Sequence, residues 1–240
     1  MSVSPATSID PILPPLEVHP VRAVISPLSK LQVEGIRAID AIDFRFADRF
    51  GYTLKHLGIG HERGERLELR VHPALIRKNS VLANVDGVLN AVFLMGRALG
   101  PCLLVGRGAG DMPTAVSVVA DIVDVARSRL EGEPGLRTRS IQLSDRQLVP
   151  ADEFETRYYL RFDVGDHPGV IGTIASVLGV EGVSIEQMVQ DGRAKAENDA
   201  VPVCLITHQT REGAVRRALE AIGREPFMKV PPRLIRIEDV

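Results

Sequence analysis

The sequence has 240 residues, a length that fits one large domain or two ordinary ones. Apolar residues make up 45% of it and charged residues 25%, which is typical of globular proteins and excludes disordered and collagen-like chains. The formal net charge of -2 and the aromatic content of 4% argue against a nucleic-acid partner, which would need basic patches and stacking surfaces.

The cysteine count and the apolar runs indicate in which cellular compartment the protein is expected. Cys102 and Cys204 are too few for a disulfide framework or a four-cysteine zinc site, and we expect both to be buried free thiols. The longest apolar run is interrupted by Asp121 and Asp124 and is too short for a membrane span. No Lys or Arg precedes Arg22, unlike in a secretory signal, so we expect a cytoplasmic protein.

The first 27 residues form a segment of their own. Prolines recur along residues 1–27, and no apolar period survives between them. Because proline fixes the backbone φ angle and removes a hydrogen-bond donor, this composition predicts an extended, Pro-rich tail.

Residues 28–130 are predicted to form a first folded unit. A helix is expected from Glu34, with Gly51 as its left-handed stop, and a strand half-buried on one face is expected over residues 66–76. Two short apolar runs, at 88–96 and 101–108, predict buried strands, and a long helix follows from about Asp111 to Arg129. The apolar residues on which these assignments depend are Ile36, Ile39, Ile42, Phe46 and Phe50 in the first helix, Leu67, Leu69 and Val71 in the strand, and Val116, Val119, Ala120, Val123 and Ala126 in the long helix.

Residues 131–155 have the composition of a linker, and residues 156–240 are predicted to form a second unit. Strands are expected at 158–164, 183–190, 200–208 and 232–238, with helices at 168–179 and 211–223. This βαββαβ order is ferredoxin-like, with two helices on one antiparallel sheet. The inward helix residues are predicted to be Val170, Ile171, Ile174, Val177, Leu178, Val215, Ala218, Leu219 and Ile222.

A Gly-rich turn, with Gly106, Gly108 and Gly110, joins a predicted strand to the long helix. Glycines let the backbone approach a ligand, and a helix N-terminus offers unpaired N–H groups. The spacing is G-x-G-x-G, however, and differs from the G-x-G-x-x-G of dinucleotide-binding folds. Both a tight structural turn and a ligand-approach loop fit the residues, but a complete nucleotide-binding unit does not.

A second turn follows the first strand of the second unit. Asp166 and Pro168 are suited to cap the next helix, and Gly169 keeps the turn uncrowded. The turn is therefore either a well-made helix cap or a site where backbone groups hold a small amino acid, usually across a subunit interface.

Other site chemistries receive little support. The six histidines have no metal-ligand spacing, and neither a nucleophile elbow nor a P-loop is present. Lys55 and Lys78 could act as acid or base, but nothing around either indicates a shifted pKa, and we expect surface lysines.

Taken together, these segments resemble homoserine dehydrogenase over roughly residues 30 to 222. Residues 33–60, 71–76, 82–92 and 106–127 resemble the C-terminal part of its catalytic domain, and the GAGDMPTA block is specific to that family. Residues 158–190 and 204–208 resemble the ACT domain that bacterial members carry after it. The resemblance implies an α+β fold, with a partial, mixed-sheet catalytic and dimerisation domain at 28–130 and a ferredoxin-like ACT domain at 156–240.

The family reduces aspartate semialdehyde to homoserine with NAD(P), on the route to threonine and methionine. Its Rossmann domain and the segment with its acid/base lysine have no counterpart here, so the resemblance implies no catalytic residue. It implies that Gly108, Ala109 and Gly110 contact NAD(P) only when another chain supplies the nucleotide domain. It also implies dimerisation through the strands between Leu67 and Leu104.

The ACT resemblance implies an amino-acid effector, with threonine expected. The implied effector-binding residues are Asp166, Pro168, Gly169, Val170, Ile171 and Ser184, where Ser184 stands in place of the usual Asn. Three interpretations stay open: part of a split dehydrogenase that needs a Rossmann-domain chain, a stand-alone amino-acid sensor, or a non-functional remnant, for which the Pro-rich tail is circumstantial support.

Overall fold

The computed structural model describes residues 31–131, 146–190 and 199–240, with the backbone of the two-residue strands at 22–23 and 142–143. The predicted Pro-rich tail therefore lies almost wholly outside the described residues. The strands are β1 (Arg22–Ala23), β2 (Gln32–Val33), β3 (Tyr52–Arg63), β4 (Arg66–Arg77), β5 (Leu89–Gly96), β6 (Gly100–Arg107), β7 (Gln142–Leu143), β8 (Glu155–Gly165), β9 (Ile185–Gln190), β10 (Ala200–Thr207), β11 (Thr210–Arg211) and β12 (Arg233–Glu238). The helices are α1 (Ala41–Arg49), α2 (Asp111–Leu130), α3 (Val170–Val180) and α4 (Glu212–Gly223).

One mixed sheet runs through both halves of the chain. Its main path has the order β2-β4-β12-β8-β10-β9, with β3 paired to β4 and β11 paired to β8. Strand β12 is antiparallel to β8 but parallel to β4, so it joins the C-terminal strands to the β3–β4 hairpin. The predicted α+β class with a mixed sheet is confirmed.

The C-terminal elements follow the predicted βαββαβ order, with the short β11 added before α4. Helices α3 and α4 pack on one face of the sheet, because their apolar stripes meet the alternate residues of β8 and β10. Each fully buried Leu, Ile or Phe in such a core stabilises the fold by roughly 1.5–3 kcal/mol. The core contains Tyr158, Leu160, Phe162, Val164, Val170, Ile174, Leu178, Val183, Val203, Leu205, Val215, Ala218 and Ile222.

Helix α1 covers the opposite face, where Phe46 packs with Tyr159 and Ile235. The helix is shorter than predicted: residues Ile36–Ala38 form a separate 3-10 turn, and Asp40 then caps α1. Asp40 and Asp43 form a reciprocal capping box, a start signal that outweighs the apolar period before it. Gly51 has a φ of 83° and ends the helix region as predicted.

Strand β4 buries the opposite side to the one expected. Leu67, Leu69 and Val71 are only half-buried, whereas the alternate residues Glu68, Arg70 and His72 are buried. The sequence pattern predicts that the apolar face is the buried one, but ion pairing to β12 reverses this outcome. Strand β3, which pairs with β4 along all of its 12 residues, was not predicted, because Gly58 and Gly60 obscure its alternation.

The β5–β6 hairpin and α2 stand apart from the large sheet. Both strands form where predicted, but the prediction that they are buried is wrong, since Val92 and Leu104 are 54% and 58% exposed. The predicted stripe of α2 is exposed as well. We call its exposed apolar residues the α2 surface: Met112, Val116, Val118, Val119, Ile122, Val123, Val125 and Leu130.

The described part of the predicted linker is packed against the sheet. The Val149 amide donates a hydrogen bond to the Leu67 carbonyl at 2.8 Å, and Phe154 is only 1% exposed. Residues 146–155 therefore form a segment that is hydrogen-bonded to β4. Most of residues 132–145 lie outside the described part of the chain.

Candidate functional site

The loop between β6 and α2 brings together Gly108, Ala109 and Gly110. The Gly108 amide donates a hydrogen bond to the Val88 carbonyl at 3.0 Å, which closes the base of the hairpin. A Cβ atom at Gly108 would lie 1.6 Å from Nδ2 of Asn90, so the backbone passes directly against that side chain. Because Asn90 is exposed and its side chain can rotate away, this contact is compatible with both the tight-turn and the ligand-approach interpretations.

Gly110 has a different constraint. Its φ of 120° and ψ of 155° lie in a region that only glycine occupies readily, and it is the N-cap of α2. Its carbonyl accepts hydrogen bonds from the Thr114 amide at 3.1 Å and from Thr114 Oγ1 at 2.8 Å. The loop is thus fixed at the start of a 20-residue helix, with exposed backbone available to a ligand.

A shallow depression of about 350 Å³ adjoins this loop and is lined by Asn90, Arg107 and Gly108 with neighbouring hairpin residues. A larger depression of about 500 Å³ lies between the end of α4 and residues 228–232. The larger one contains none of the predicted site residues. The smaller depression, beside the glycine loop, is therefore the one that belongs to the candidate site.

The two lysines considered for acid–base chemistry are both engaged in ion pairs. Lys55 Nζ lies 2.6 Å from Asp86 Oδ1, and Lys78 pairs with Asp48. Neither contact is to the glycine loop itself.

The turn after β8 places Asp166, Pro168, Gly169, Val170 and Ile171 next to one another at the start of α3. Gly169 is the N-cap, with a left-handed φ of 93°, and its carbonyl accepts from the Thr173 amide at 2.9 Å. The prediction that Asp166 caps the helix is wrong, because the chain needs three more residues to turn before helical geometry begins.

Ser184 lies at the other end of the same sheet. Its carbonyl accepts from the His208 amide at 2.9 Å, beside the beginning of β8, whereas the turn follows the end of β8. At about 3.3 Å per strand residue, the separation is on the order of 25 Å. One copy of the chain therefore does not bring Ser184 to the other implied effector residues.

A buried charge cluster at the β4–β12 junction was not predicted. Arg236 is fully buried, and its Nη2 donates to Glu34 Oε1 at 2.8 Å and to Glu212 Oε1 at 2.5 Å. Although burial alone would raise the pKa of Glu34, the hydrogen bond and charge of Arg236 lower it to about 2. The cluster therefore holds ionised groups from three separate parts of the sequence.

His72 lies in the neighbouring part of this junction, 3.7 Å from Glu238 through Nε2. Burial and the positive charge of Arg236 lower the pKa of His72 to about 4. Arg70 donates to the other Glu238 oxygen at 2.7 Å. The alternation of Glu68, Arg70 and His72 in β4 and the pair Arg236 and Glu238 in β12 are the sequence signal that could have indicated this junction.

A second buried cluster fastens α1 to the sheet. Arg161 Nε lies 2.9 Å from Asp43 Oδ1, and the Tyr159 hydroxyl donates to the same carboxylate at 3.1 Å. The hydroxyl is also 3.3 Å from the sulfur of Cys204, whose pKa burial raises to about 12. This arrangement is structural, because the thiol is buried and far from the ionised form that nucleophilic chemistry requires.

The described residues contain neither a metal-ligand cluster nor a membrane-spanning helix. Within residues 31–131, 146–190 and 199–240, no group of three or more His, Cys, Asp and Glu side chains could hold a metal ion. No helix in that part of the chain is long and apolar enough to cross a membrane.

Comparison with known proteins identifies the family. The sequence model of the homoserine dehydrogenase family matches residues 21–123. Homoserine dehydrogenase from Pseudomonas aeruginosa is 39% identical over 215 residues, covering 88% of this chain and 49% of the relative. The chain belongs to the homoserine dehydrogenase family. The Neisseria gonorrhoeae homoserine dehydrogenase is 38% identical, again over 88% of this chain and 49% of the relative.

A solved homoserine dehydrogenase supports the family assignment structurally. The crystal structure from Thiobacillus denitrificans superposes with a TM-score of 0.74 and 38% identity, covering 88% of this chain and 48% of that one. The chain thus spans about half the length of the homoserine dehydrogenases that it matches.

Proposed function

We propose that these 240 residues supply the assembly and amino-acid-sensing part of a homoserine dehydrogenase. In this proposal, NAD(P)-dependent interconversion of aspartate semialdehyde and homoserine needs a nucleotide-binding polypeptide in addition. The observation that carries the proposal is the α2 surface, which extends from the glycine loop and is exposed to solvent. An exposed apolar surface of this kind is typical of a site that binds another protein.

The glycine loop fits the cofactor contact that the family resemblance implies. Gly108 carries no side chain, and the Gly110 backbone is in a glycine-specific conformation, so the loop offers bare backbone to a flat ligand. The nicotinamide ring, when bound, supplies the hydride. The role proposed for Gly108, Ala109 and Gly110 is to position that ring while the other polypeptide holds the rest of the cofactor.

The proton required by the reaction is proposed to come from the other polypeptide as well. A general acid must lie within hydrogen-bond reach of the carbonyl oxygen that it protonates. Lys55 and Lys78 are held by Asp86 and Asp48, and no contact directs either lysine to the glycine loop.

Activity measurements test this division of labour. The purified 240-residue chain should not oxidise NADPH in the presence of aspartate semialdehyde, while the Pseudomonas aeruginosa enzyme serves as the positive control. Affinity capture from the source cells should recover a nucleotide-binding polypeptide. Turnover by the chain alone would contradict the proposal.

The C-terminal unit is proposed to be an ACT domain that binds an amino acid, with threonine as the expected effector. Its support is the βαββαβ order together with the left-handed turn at Gly169. Because Ser184 lies far from that turn within one copy, an effector site that uses both would form between two copies of the chain. Dimerisation is proposed to bring them together.

Calorimetric titration with threonine tests the effector assignment. Binding with a stoichiometry set by the dimer is expected, and Gly169→Val should weaken it, because a β-branched residue disfavours a positive φ. Gly179→Ala is a matched control on the same helix, since a Cβ atom there meets open space. Threonine binding without capture of any nucleotide-binding polypeptide would favour the alternative function, a stand-alone amino-acid sensor.

A further inference from the structure

The β5–β6 hairpin and α2 have few connections to the rest of the described chain. Neither the two strands nor the helix packs extensively on the eight-stranded sheet. The segment from Val85 to Val88 is the last part of the covalent link from β4 to the hairpin. The position of the glycine loop therefore depends on how this link is held.

Lys55 holds that link from the neighbouring strand β3. Its Nζ donates to the Val85 carbonyl at 2.7 Å and to Asp86 Oδ1 at 2.6 Å. The Lys55 side chain is only 18% exposed, although Asp86 is 78% exposed. A lysine held by both a backbone carbonyl and a carboxylate is more constrained than an exposed surface ion pair.

The held segment continues into strand β5 and is hydrogen-bonded to the glycine loop. Gly87 turns with a φ of 64°, and the Leu89 amide then donates to the Asp86 carbonyl at 3.2 Å. The Val88 carbonyl accepts from the Gly108 amide at 3.0 Å. Two hydrogen-bonded steps thus connect the Lys55 ammonium group to the loop.

We infer that Lys55 is a positioning residue, which fastens the Val85–Val88 segment and thereby sets the place of Gly108, Ala109 and Gly110. Its significance for cofactor contact rests on the proposed function. The fastening itself follows from the hydrogen bonds and does not require a cofactor. Lys55 acts on the loop through the segment and not by touching the loop.

Hydrogen–deuterium exchange of the 240-residue chain tests the fastening without any ligand. In Lys55→Met the aliphatic stem is kept but the donor is lost, so the Gly108 amide should exchange about tenfold faster through local opening. Amides of β8 and β10 should keep their wild-type rates. Lys55→Arg, which retains a cationic donor, should restore at least part of the protection.

Lys78→Met is the matched control, because Lys78 forms an ion pair with Asp48 that has no bond to the hairpin segment. It should leave the Gly108 amide unchanged. If Lys55→Met destabilises the whole chain, Asp86→Asn provides a milder second variant, for which a smaller acceleration at Gly108 is expected.

Unchanged exchange at Gly108 in both Lys55→Met and Asp86→Asn would overturn the positioning role. Acceleration that Lys55→Arg does not reduce at all would also overturn it, since a generic packing defect would then be the cause. Failure to capture a nucleotide-binding polypeptide would count against the proposed function alone. The positioning role of Lys55 and the proposed function can therefore be contradicted independently of each other.

Discussion

Arg236 of β12 and Glu212 at the start of α4 form a doubly hydrogen-bonded ion pair in which both side chains are fully buried. Arg236 Nε donates to Glu212 Oε2 at 2.6 Å, and Nη2 donates to Glu212 Oε1 at 2.5 Å. The pair ties a helix of the C-terminal unit to the strand that joins the two halves of the sheet. Each partner depends on the other for its most buried contact, although Arg216 also pairs with Glu212 and Glu34 also pairs with Arg236.

Removal of Arg236 should be strongly destabilising. Arg236→Met leaves the carboxylates of Glu212 and Glu34 without their main partner, and the free energy of unfolding should fall by about 3–5 kcal/mol. Urea denaturation measures the change. The double variant Arg236→Met with Glu212→Leu should recover part of the loss, because it also removes the buried carboxylate that has lost its contacts with Arg236.

The control for this experiment is Arg224→Met. Arg224 pairs with Glu220 on α4, but both side chains are exposed, so the expected loss is below about 1 kcal/mol. Equal losses for the two single variants would contradict the importance assigned to the buried pair.

Acid should destabilise the chain through His72. Burial and Arg236 lower its pKa to about 4 from an ordinary value of 6.5, so the unfolded chain binds more protons between these values. The contribution of neutral, buried His72 to the free energy of unfolding is fully present above pH 6.5 and is lost as the pH falls towards 4. The free energy of unfolding should drop by roughly 2 kcal/mol more between pH 7 and pH 5 in the wild type than in His72→Gln.

Urea titrations at several pH values measure this slope. Burial raises the pKa of Glu238, so this residue contributes a pH dependence of stability opposite in sign to that of His72. The comparison between two chains that differ only at position 72 isolates the contribution of His72. His56→Gln, at an exposed position on β3, serves as the control and should keep the wild-type slope. A His72→Gln slope equal to the wild type would rule out the histidine as the origin.

The two glycines that bracket Ala109 should differ in their tolerance of alanine. At Gly108 a new Cβ collides with the end of the Asn90 side chain, which is exposed and can rotate away, so the expected cost is below about 1 kcal/mol. At Gly110 the φ of 120° is strained for alanine, and the expected cost is about 1–3 kcal/mol.

Exchange of the Thr114 amide, which donates to the Gly110 carbonyl, reports this difference locally. Gly110→Ala should accelerate exchange more than Gly108→Ala. The prediction fails if the order is reversed.

The α2 surface should contribute to association and not to the stability of the large sheet. Val119→Asp with Ile122→Asp places charges at positions that are 58% and 62% exposed, so unfolding of the sheet should change by less than about 0.5 kcal/mol. Light scattering should show less self-association, and capture of a nucleotide-binding polypeptide should weaken. Val215→Asp, which introduces a charge at a fully buried position, should instead prevent folding.

The two thiols should differ in reactivity. Cys204 is fully buried with a pKa raised to about 12, whereas Cys102 is partly exposed on the hairpin. A thiol reagent should therefore modify Cys102 rapidly and Cys204 only after unfolding. Mass spectrometry of the digested chain identifies the modified residue, and rapid labelling of Cys204 would contradict its buried position.

Local patterns were sufficient for the C-terminal unit. Its helices and strands were predicted in order, because Ile174, Leu178, Val215 and Ile222 recur at helical spacing and meet a sheet contributed by the same unit. The family resemblance was likewise present in the sequence, since it depends on the order of residues around the glycine loop. The stop at Gly51 and the positions of β5 and β6 also followed from local signals.

Only the tertiary structure decided which faces are buried. Alternation in β4 predicts one apolar and one polar face, but Glu68, Arg70 and His72 became the buried side because β12 brings charged partners from more than 150 positions later in the chain. The stripe of α2 is apolar by local pattern, yet its burial depends on a partner that the pattern does not specify. The position of Lys55 against Val85 is likewise a long-range result, since 30 residues separate them. Periodicity reports what one segment can bury, whereas burial itself depends on what other segments bring to it.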